Sequence, residues 1–258
     1  MVSEADHKAN DETETKNIPV IEIRNLNKSF GDNHVLRNFN ADLYKGENLV
    51  VVGKSGSGKS VLIKCIIGLM KPDSGTIHMY GKNIPDLDET ELDTIREKTG
   101  FLFQSNALYD SMTVRENLEF SLRRHQLKAE TEKVNELVME ALTNVGLAET
   151  VDMMPAELSG GMKKRIALAR TLILKPHIIL YDEPTTGLDP ITGKEISSLM
   201  LEVQKKYKTS SIIISHDMNC IKITSNRVVL LIDGRCYAEG TYEKLKKSND
   251  VKVNLFFE

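Results

Sequence analysis

The segment GKSGSGKS, Gly53 to Ser60, constrains this chain more than any other stretch of it. Its spacing, G-x-x-x-x-G-K-[ST], is that of a loop whose successive backbone N–H groups wrap the phosphates of a nucleotide. The flanks give it a setting. Asn48-Leu49-Val50-Val51-Val52 is apolar and β-branched, which predicts a buried strand, and the residues from Ser60 to Ile67 predict a helix directly after the loop. Phosphate would then lie at a helix N-terminus, where unpaired amides and the helix dipole both favour anions. Gly53, Gly56 and Gly58 let the backbone approach closely, with no Cβ in the way. Lys54, Ser55 and Ser57 complete the phosphate-binding loop. Lys59 is expected on the β- and γ-phosphates, and the Ser60 hydroxyl on Mg2+.

At 258 residues and 40% hydrophobic, the chain can bury one large core or two modest ones. A net charge of -3 argues against general nucleic-acid binding. The clusters Lys163-Lys164-Arg165 and Lys205-Lys206 read as solvated helix faces. Cys65, Cys220 and Cys236 lie far apart with no metal-ligand spacing, which suits a reducing compartment. No uninterrupted apolar run approaches the roughly 18 residues that span a bilayer. Residues 1–17 are polar and acid-rich, so a disordered tail is expected there rather than a signal peptide. The expectation is a cytosolic chain able to dock on something membrane-bound.

Residues 20–24 and 39–43 alternate apolar and polar, as half-exposed strands do, and further strands are predicted at 76–80 and 100–104. Helix follows. Thr113-Val114-Arg115-Glu116 has the form of a capping box, and Val134, Leu137, Val138, Ala141 and Leu142 make the apolar face of a second helix that Gly146 ends. Strand patterning resumes at 178–181, 211–214 and 228–231. The predicted architecture is α/β: a mostly parallel core sheet, an antiparallel β subdomain, and a helical insert at about 106–160. A catalytic domain is assigned to 18–242 and a short tail to 243–258.

The apolar strand Ile178-Ile179-Leu180-Tyr181 ends in Asp182 and Glu183. Ligands of open α/β sheets bind beyond the carboxyl ends of the strands, so both carboxylates should face the phosphate loop. Phosphoryl transfer needs a carboxylate near Mg2+ and a group that orients or deprotonates water; Asp182 suits the first role and Glu183 the second. Ser159-Gly160-Gly161 opens another helix, LSGGMKKRIALAR, and offers a second amide-rich helix start.

Together, the loop at Gly53–Ser60, LSGGM at Leu158–Met162 and YDEP at Tyr181–Pro184 resemble the nucleotide-binding subunit of an ATP-binding-cassette (ABC) transporter, over about residues 20–240. The resemblance implies a P-loop NTPase cassette with ATP and Mg2+ as its cofactors. It places Gln104 between Mg2+, attacking water and the helical insert, and Asp189 in signalling between paired subunits. It puts His216 on the γ-phosphate and Phe30 against adenine. Two positions depart from the usual pattern: Met162 stands where signatures commonly carry Gln, and Phe30 where Tyr is usual, which keeps a stacking face.

The resemblance further implies head-to-tail homodimers sandwiching two ATP molecules. Each site takes Ser159, Gly160 and Gly161 from the opposite chain, and separate transmembrane permease subunits ride on the helical inserts. The stretch Gln104–Leu118 is most similar to the Mla-type ATPases that power phospholipid transport across the envelope of double-membraned bacteria. That implies a peripheral position on the cytoplasmic face of the inner membrane, and leaves room for a lipid-binding substrate protein. Another small-molecule transporter or a soluble non-transport ABC ATPase are the alternatives. Leu108, Tyr109 and Met112 either line the groove for the permease or pack within the insert, and the apolar Leu255, Phe256 and Phe257 offer a further docking point.

Overall fold

In the computed structural model, which describes residues 18–124 and 131–257, the strand before the phosphate loop is β3, Asn48–Val52, as its apolar run predicts. It is buried along its whole length, and its residues alternate between two cores. Val50 and Val52 face one, Leu49 and Val51 the other. The same alternation runs through β7 (Ile178–Asp182), β8 (Ser210–Ile214) and β9 (Arg227–Ile232). A sheet covered on both faces explains why these strands read as unbroken apolar runs. With β6 (Thr99–Leu102) and β10 (Arg235–Gly240) they form a six-stranded sheet, ordered β10-β9-β3-β8-β7-β6. All its pairings are parallel except β9 with β10.

One face of this sheet meets α1 (Lys59–Ile66) and an antiparallel sheet, in which β1 (Pro19–Phe30) pairs with β2 (Asn33–Tyr44) and β4 (Ser74–Met79), and β4 with the short β5 (Lys82–Asn83). Their contact layer includes Ile21, Ile23, Phe39 and Leu43. Arg227 of β9 anchors the antiparallel sheet to the parallel one: its Nε donates to Glu47 at 2.7 Å, and its guanidinium lies 5.2 Å from the Tyr44 ring centre. Helix α2 (Glu89–Glu97) leads into β6 and has a complete capping box at Asp88 and Glu91.

The other face carries the predicted helices. α3 spans Val114–Arg124, and its capping box forms reciprocally: Glu116 N donates to Thr113 Oγ1 at 3.2 Å and Thr113 N to Glu116 Oε2 at 2.8 Å. α4 runs Thr131–Asn144, and Gly146 takes the left-handed φ of 68° that ends such helices. α5, Gly160–Leu172, starts at Ser159, whose Oγ accepts from Met162 N at 3.2 Å. Two longer-range helices, α6 (Pro190–Tyr207) and α7 (Met218–Thr224), lead into β8 and β9, and α8 (Tyr242–Lys246) and α9 (Val251–Asn254) close the chain.

The structure corrects three expectations. β6 stops at Leu102, so Gln104 lies in the following turn rather than ending a strand. The Lys163-Lys164-Arg165 cluster is not a solvated face: Lys164 is 2% exposed, because α5 is buried on nearly every side by Ile166, Ala167, Leu168 and Ala169. Burial pulls the Lys164 ammonium down to about 8, against the opposing pull of Asp182. Third, the apolar tail is mostly packed away. Phe256 and Phe257 lie against the main core, with the Phe257 ring 5.4 Å edge-on from Tyr242. Only Leu255, 60% exposed, remains free of it. The expected disordered tail at 1–17 lies outside the described residues. Among the described residues, no helix is long and apolar enough to cross a membrane.

Candidate functional site

Beyond the carboxyl ends of β3, β7 and β8 opens a cleft of about 740 Å³. The loop Gly53–Gly58 crosses its floor, and Phe30, Gln104, Glu183 and His216 stand around it. Gly58 caps α1 in the left-handed region at φ 100°, and no side chain satisfies the helix's first amides. A Cβ on Gly58 would come within 2.7 Å of Val35 Cγ1, and one on Gly53 within 2.5 Å of Ser57 Oγ. The Ser57 hydroxyl is itself buried without a partner. Open amides, closely approached glycines and an orphaned hydroxyl fit a phosphate chain.

Lys59 is only 8% exposed, and its Nζ donates back to the carbonyls of Gly53 at 2.8 Å and Lys54 at 3.1 Å. Burial holds its ammonium below the usual lysine range, while Glu183 and Asp182 pull the other way. Asp182 is buried at the end of β7, with Ser60 Oγ donating to its Oδ1 at 3.3 Å. Burial pushes that carboxyl upward, Ser60 opposes the shift and the Glu183 carboxylate adds to it. A desolvated carboxylate in that state is the setting a cation relieves. Among the described residues no three His, Cys, Asp or Glu side chains gather as a metal cluster. Mg2+, which typically takes one or two carboxylates and completes its shell with phosphate oxygens and water, fits Asp182 and Ser60 on that donor set.

Glu183 is 7% exposed and sits at φ 51°, a left-handed conformation that costs a non-glycine residue about 1–3 kcal/mol. Its backbone N donates to Ile214 O at 2.9 Å, which pins it beside β8. Its Oε2 accepts from Thr186 Oγ1 at 3.2 Å and lies 2.7 Å from His216 Nδ1. The carboxylate is therefore aimed by two donors at the cleft. His216, expected at a phosphate, also orients Glu183. Phe30, at the end of β1, is 48% exposed, with Lys28 Nζ 5.5 Å from its ring centre.

Two predicted groups are not brought to this cleft. Ser159 and Gly160 are exposed at the start of α5, and Gly161 packs so closely on α6 that a Cβ there would meet Thr192 Cγ2 at 2.7 Å. Asp189 caps α6: Oδ1 accepts from Ile191 N and Thr192 N, both at 3.0 Å, and Oδ2 from Thr192 Oγ1 at 2.6 Å. These bonds, led by that from the Thr192 side chain, hold its carboxyl below the usual range. Of the insert residues, Tyr109 lines a second groove of about 470 Å³ beside Phe120, their ring centres 4.8 Å apart. Leu108 packs into the core instead, and Met112 is half-buried.

Thr186 and Lys164 have no site role in the sequence expectations, and Leu255 and Phe256, expected to dock a partner, border the cleft. For Lys164 the signal was present: four consecutive apolar residues after it mark a helix buried all round. For the tail there was none, since its folding back depends on Asp250, which accepts from Tyr237 OH at 2.8 Å and caps α9.

The sequence profile described as ABC transporter matches residues 36–186. A probable ribonucleotide transport ATP-binding protein of Mycobacterium leprae, mkl, is 38% identical over 92% of this chain and 68% of its own length. The intermembrane phospholipid transport system ATP-binding protein MlaF of Haemophilus influenzae is 37% identical over 92% of this chain and 89% of its own. Among solved structures, a dimeric post-hydrolysis ATP-binding cassette bound to ADP and Pi superposes with a TM-score of 0.78 at 33% identity. It covers 86% of this chain and 98% of that one.

Proposed function

Because this chain belongs to the ABC transporter family, as an ATP-hydrolysing cassette, we propose that it is the motor subunit of a membrane transporter for phospholipid. Residues 18–242 form the ATPase unit, and two copies pair head to tail. The observation that carries the pairing is the division of the site. One chain's cleft has the phosphate loop, Gln104, Glu183 and His216, while Ser159–Gly161 lie outside it and Asp189 borders a neighbouring pocket that shares His216. ATP bound in the cleft then bridges to the partner's helix start, and a symmetric pair makes two such sites.

In each site the amides of Gly53–Lys59 hold the phosphates, and Lys59 exchanges its loop carbonyls for phosphate oxygens. Phe30 stacks on the base. Glu183 accepts the proton of the attacking water, with His216 and Thr186 keeping its carboxylate in place. Ser60 and Asp182, with Gln104 alongside, would hold Mg2+, which would supply neutralisation of charge on the transferring phosphoryl group. Loss of the γ-phosphate removes the bridge between chains, and the α3–α4 layer moves with it. Tyr109 and its groove receive the permease, which comes from separate chains at the cytoplasmic face of the membrane.

The lipid assignment rests on the similarity to MlaF and on the insert from Gln104 to Leu118. The mycobacterial relative, named for ribonucleotide transport, carries the second reading. The test is to purify the chain with its membrane partners in detergent and measure the lipids and the ATPase stimulation. Phospholipid should be enriched over an unrelated membrane complex, in an assembly with two copies of this chain. Equal phospholipid content, with ATPase stimulated by a ribonucleotide, amino acid or sugar, overturns the substrate and leaves the ATPase reading standing.

A further inference from the structure

The turn after β6 joins the two cavities. Gln104 borders the nucleotide cleft, while Phe103, Ala107 and Tyr109 border the groove of about 470 Å³. Residues 103–109 carry no helix or strand, and Asn106 and Ala107 hold left-handed backbone at φ 63° and 51°. Neither is a glycine, so something must hold that conformation.

Three hydrogen bonds from α5 do so. Lys164 Nζ donates to Gln104 O at 3.0 Å, and Arg170 donates to Asn106 O at 3.1 Å and Ala107 O at 2.6 Å. Lys164 is an expensive way to fill its site. Its ammonium is buried with its hydrogen bond on a neutral carbonyl, and the pull of Asp182 only partly offsets a desolvation cost that an apolar side chain of similar length would avoid. Stability does not account for a lysine there. Position does, because α5 also starts at Ser159–Gly161, the helix start that the proposed pairing sets against the partner's nucleotide.

We propose that Lys164 and Arg170 are positioning residues that clamp the 104–107 turn onto α5, so that Gln104 enters the cleft in register with the Ser159–Gly161 helix start. The clamp makes turn and helix one unit, and a displacement at the groove reaches Gln104 and the partner's site together. The inference rests on the ATPase reading above.

The test uses the purified full-length chain with Lys164→Met, which keeps length and loses the donor, and Lys164→Arg, which keeps it. Lys164→Met should melt no lower than wild type and bind a fluorescent ATP analogue as tightly. It should exchange its 104–107 amides faster and lose about tenfold in kcat, the order expected when a catalytic group is slightly misplaced. Lys164→Arg should recover most of the rate and the protection. Should Lys164→Met not fold, Lys164→Leu, which also lacks a donor, serves in its place. Unchanged exchange and unchanged kcat overturn the clamp, as does a kcat loss matched by weaker nucleotide binding or a lower melting temperature. Glu183→Gln separates the two readings: if it abolishes turnover while Lys164→Met does not, only the clamp fails.

Discussion

Replacing Glu183 by glutamine should leave ATP binding intact and slow turnover by at least about a hundredfold, the usual range for loss of a general base. The geometry makes this a narrow substitution. Glutamine preserves the side chain's length and an oxygen that can accept from Thr186 Oγ1, and it keeps the left-handed backbone at φ 51°. What disappears is the negative charge and the proton acceptor beside His216 Nδ1. With binding kept and hydrolysis blocked, the ATP-bound pair should accumulate. Phosphate release at saturating ATP, fluorescent-nucleotide binding and size-exclusion chromatography read the three effects. A variant that turns over at the wild-type rate removes Glu183 from the chemistry.

Lys59→Met should act at the opposite end of the cycle, on binding. The Lys59 ammonium is already desolvated and aimed into the loop, held only by the Gly53 and Lys54 carbonyls. Much of the cost of placing a cation beside phosphate has therefore been met in folding. A hydrogen bond to a charged group contributes about 1.5–3 kcal/mol. Both sets of contacts involve the ammonium, so only the surplus of phosphate over carbonyl counts, and about 1.4 kcal/mol for each of two contacts corresponds to a loss of roughly a hundredfold in ATP affinity. Methionine fills the same space without charge, so the melting temperature of the nucleotide-free chain should hold or rise. Titration with a fluorescent ATP analogue tests this, and an affinity within threefold of wild type contradicts it.

Elements set by local chemistry were legible in the sequence. β3, the helix after Gly58, the capping box at Thr113 and Glu116 and the helix opening at Ser159 each depend on neighbours within a few residues, and each forms as expected. The nucleotide cleft was legible for the same reason, since its parts are short motifs at strand ends. What long-range packing decides was not legible. Nothing beside Lys164 in sequence names Gln104, 60 residues away, as its partner. The same holds for the tail, whose phenylalanines find a core surface built largely by residues far upstream. His216 falls between these cases: the resemblance implies its place at the phosphate, but its bond to Glu183 joins the ends of β8 and β7 and shows only once the two strands pair.

In the proposed pairing neither chain alone has a complete site, because Ser159–Gly161 stands outside the cleft that holds Glu183 and Lys59. The most direct measurement is ATPase activity per chain against chain concentration, with sedimentation recording the fraction paired at each point. Activity should follow the dimer fraction and vanish as the protein becomes monomeric, since mass action alone then removes the second half of every site. A monomer that hydrolyses ATP at the full rate per chain contradicts the claim.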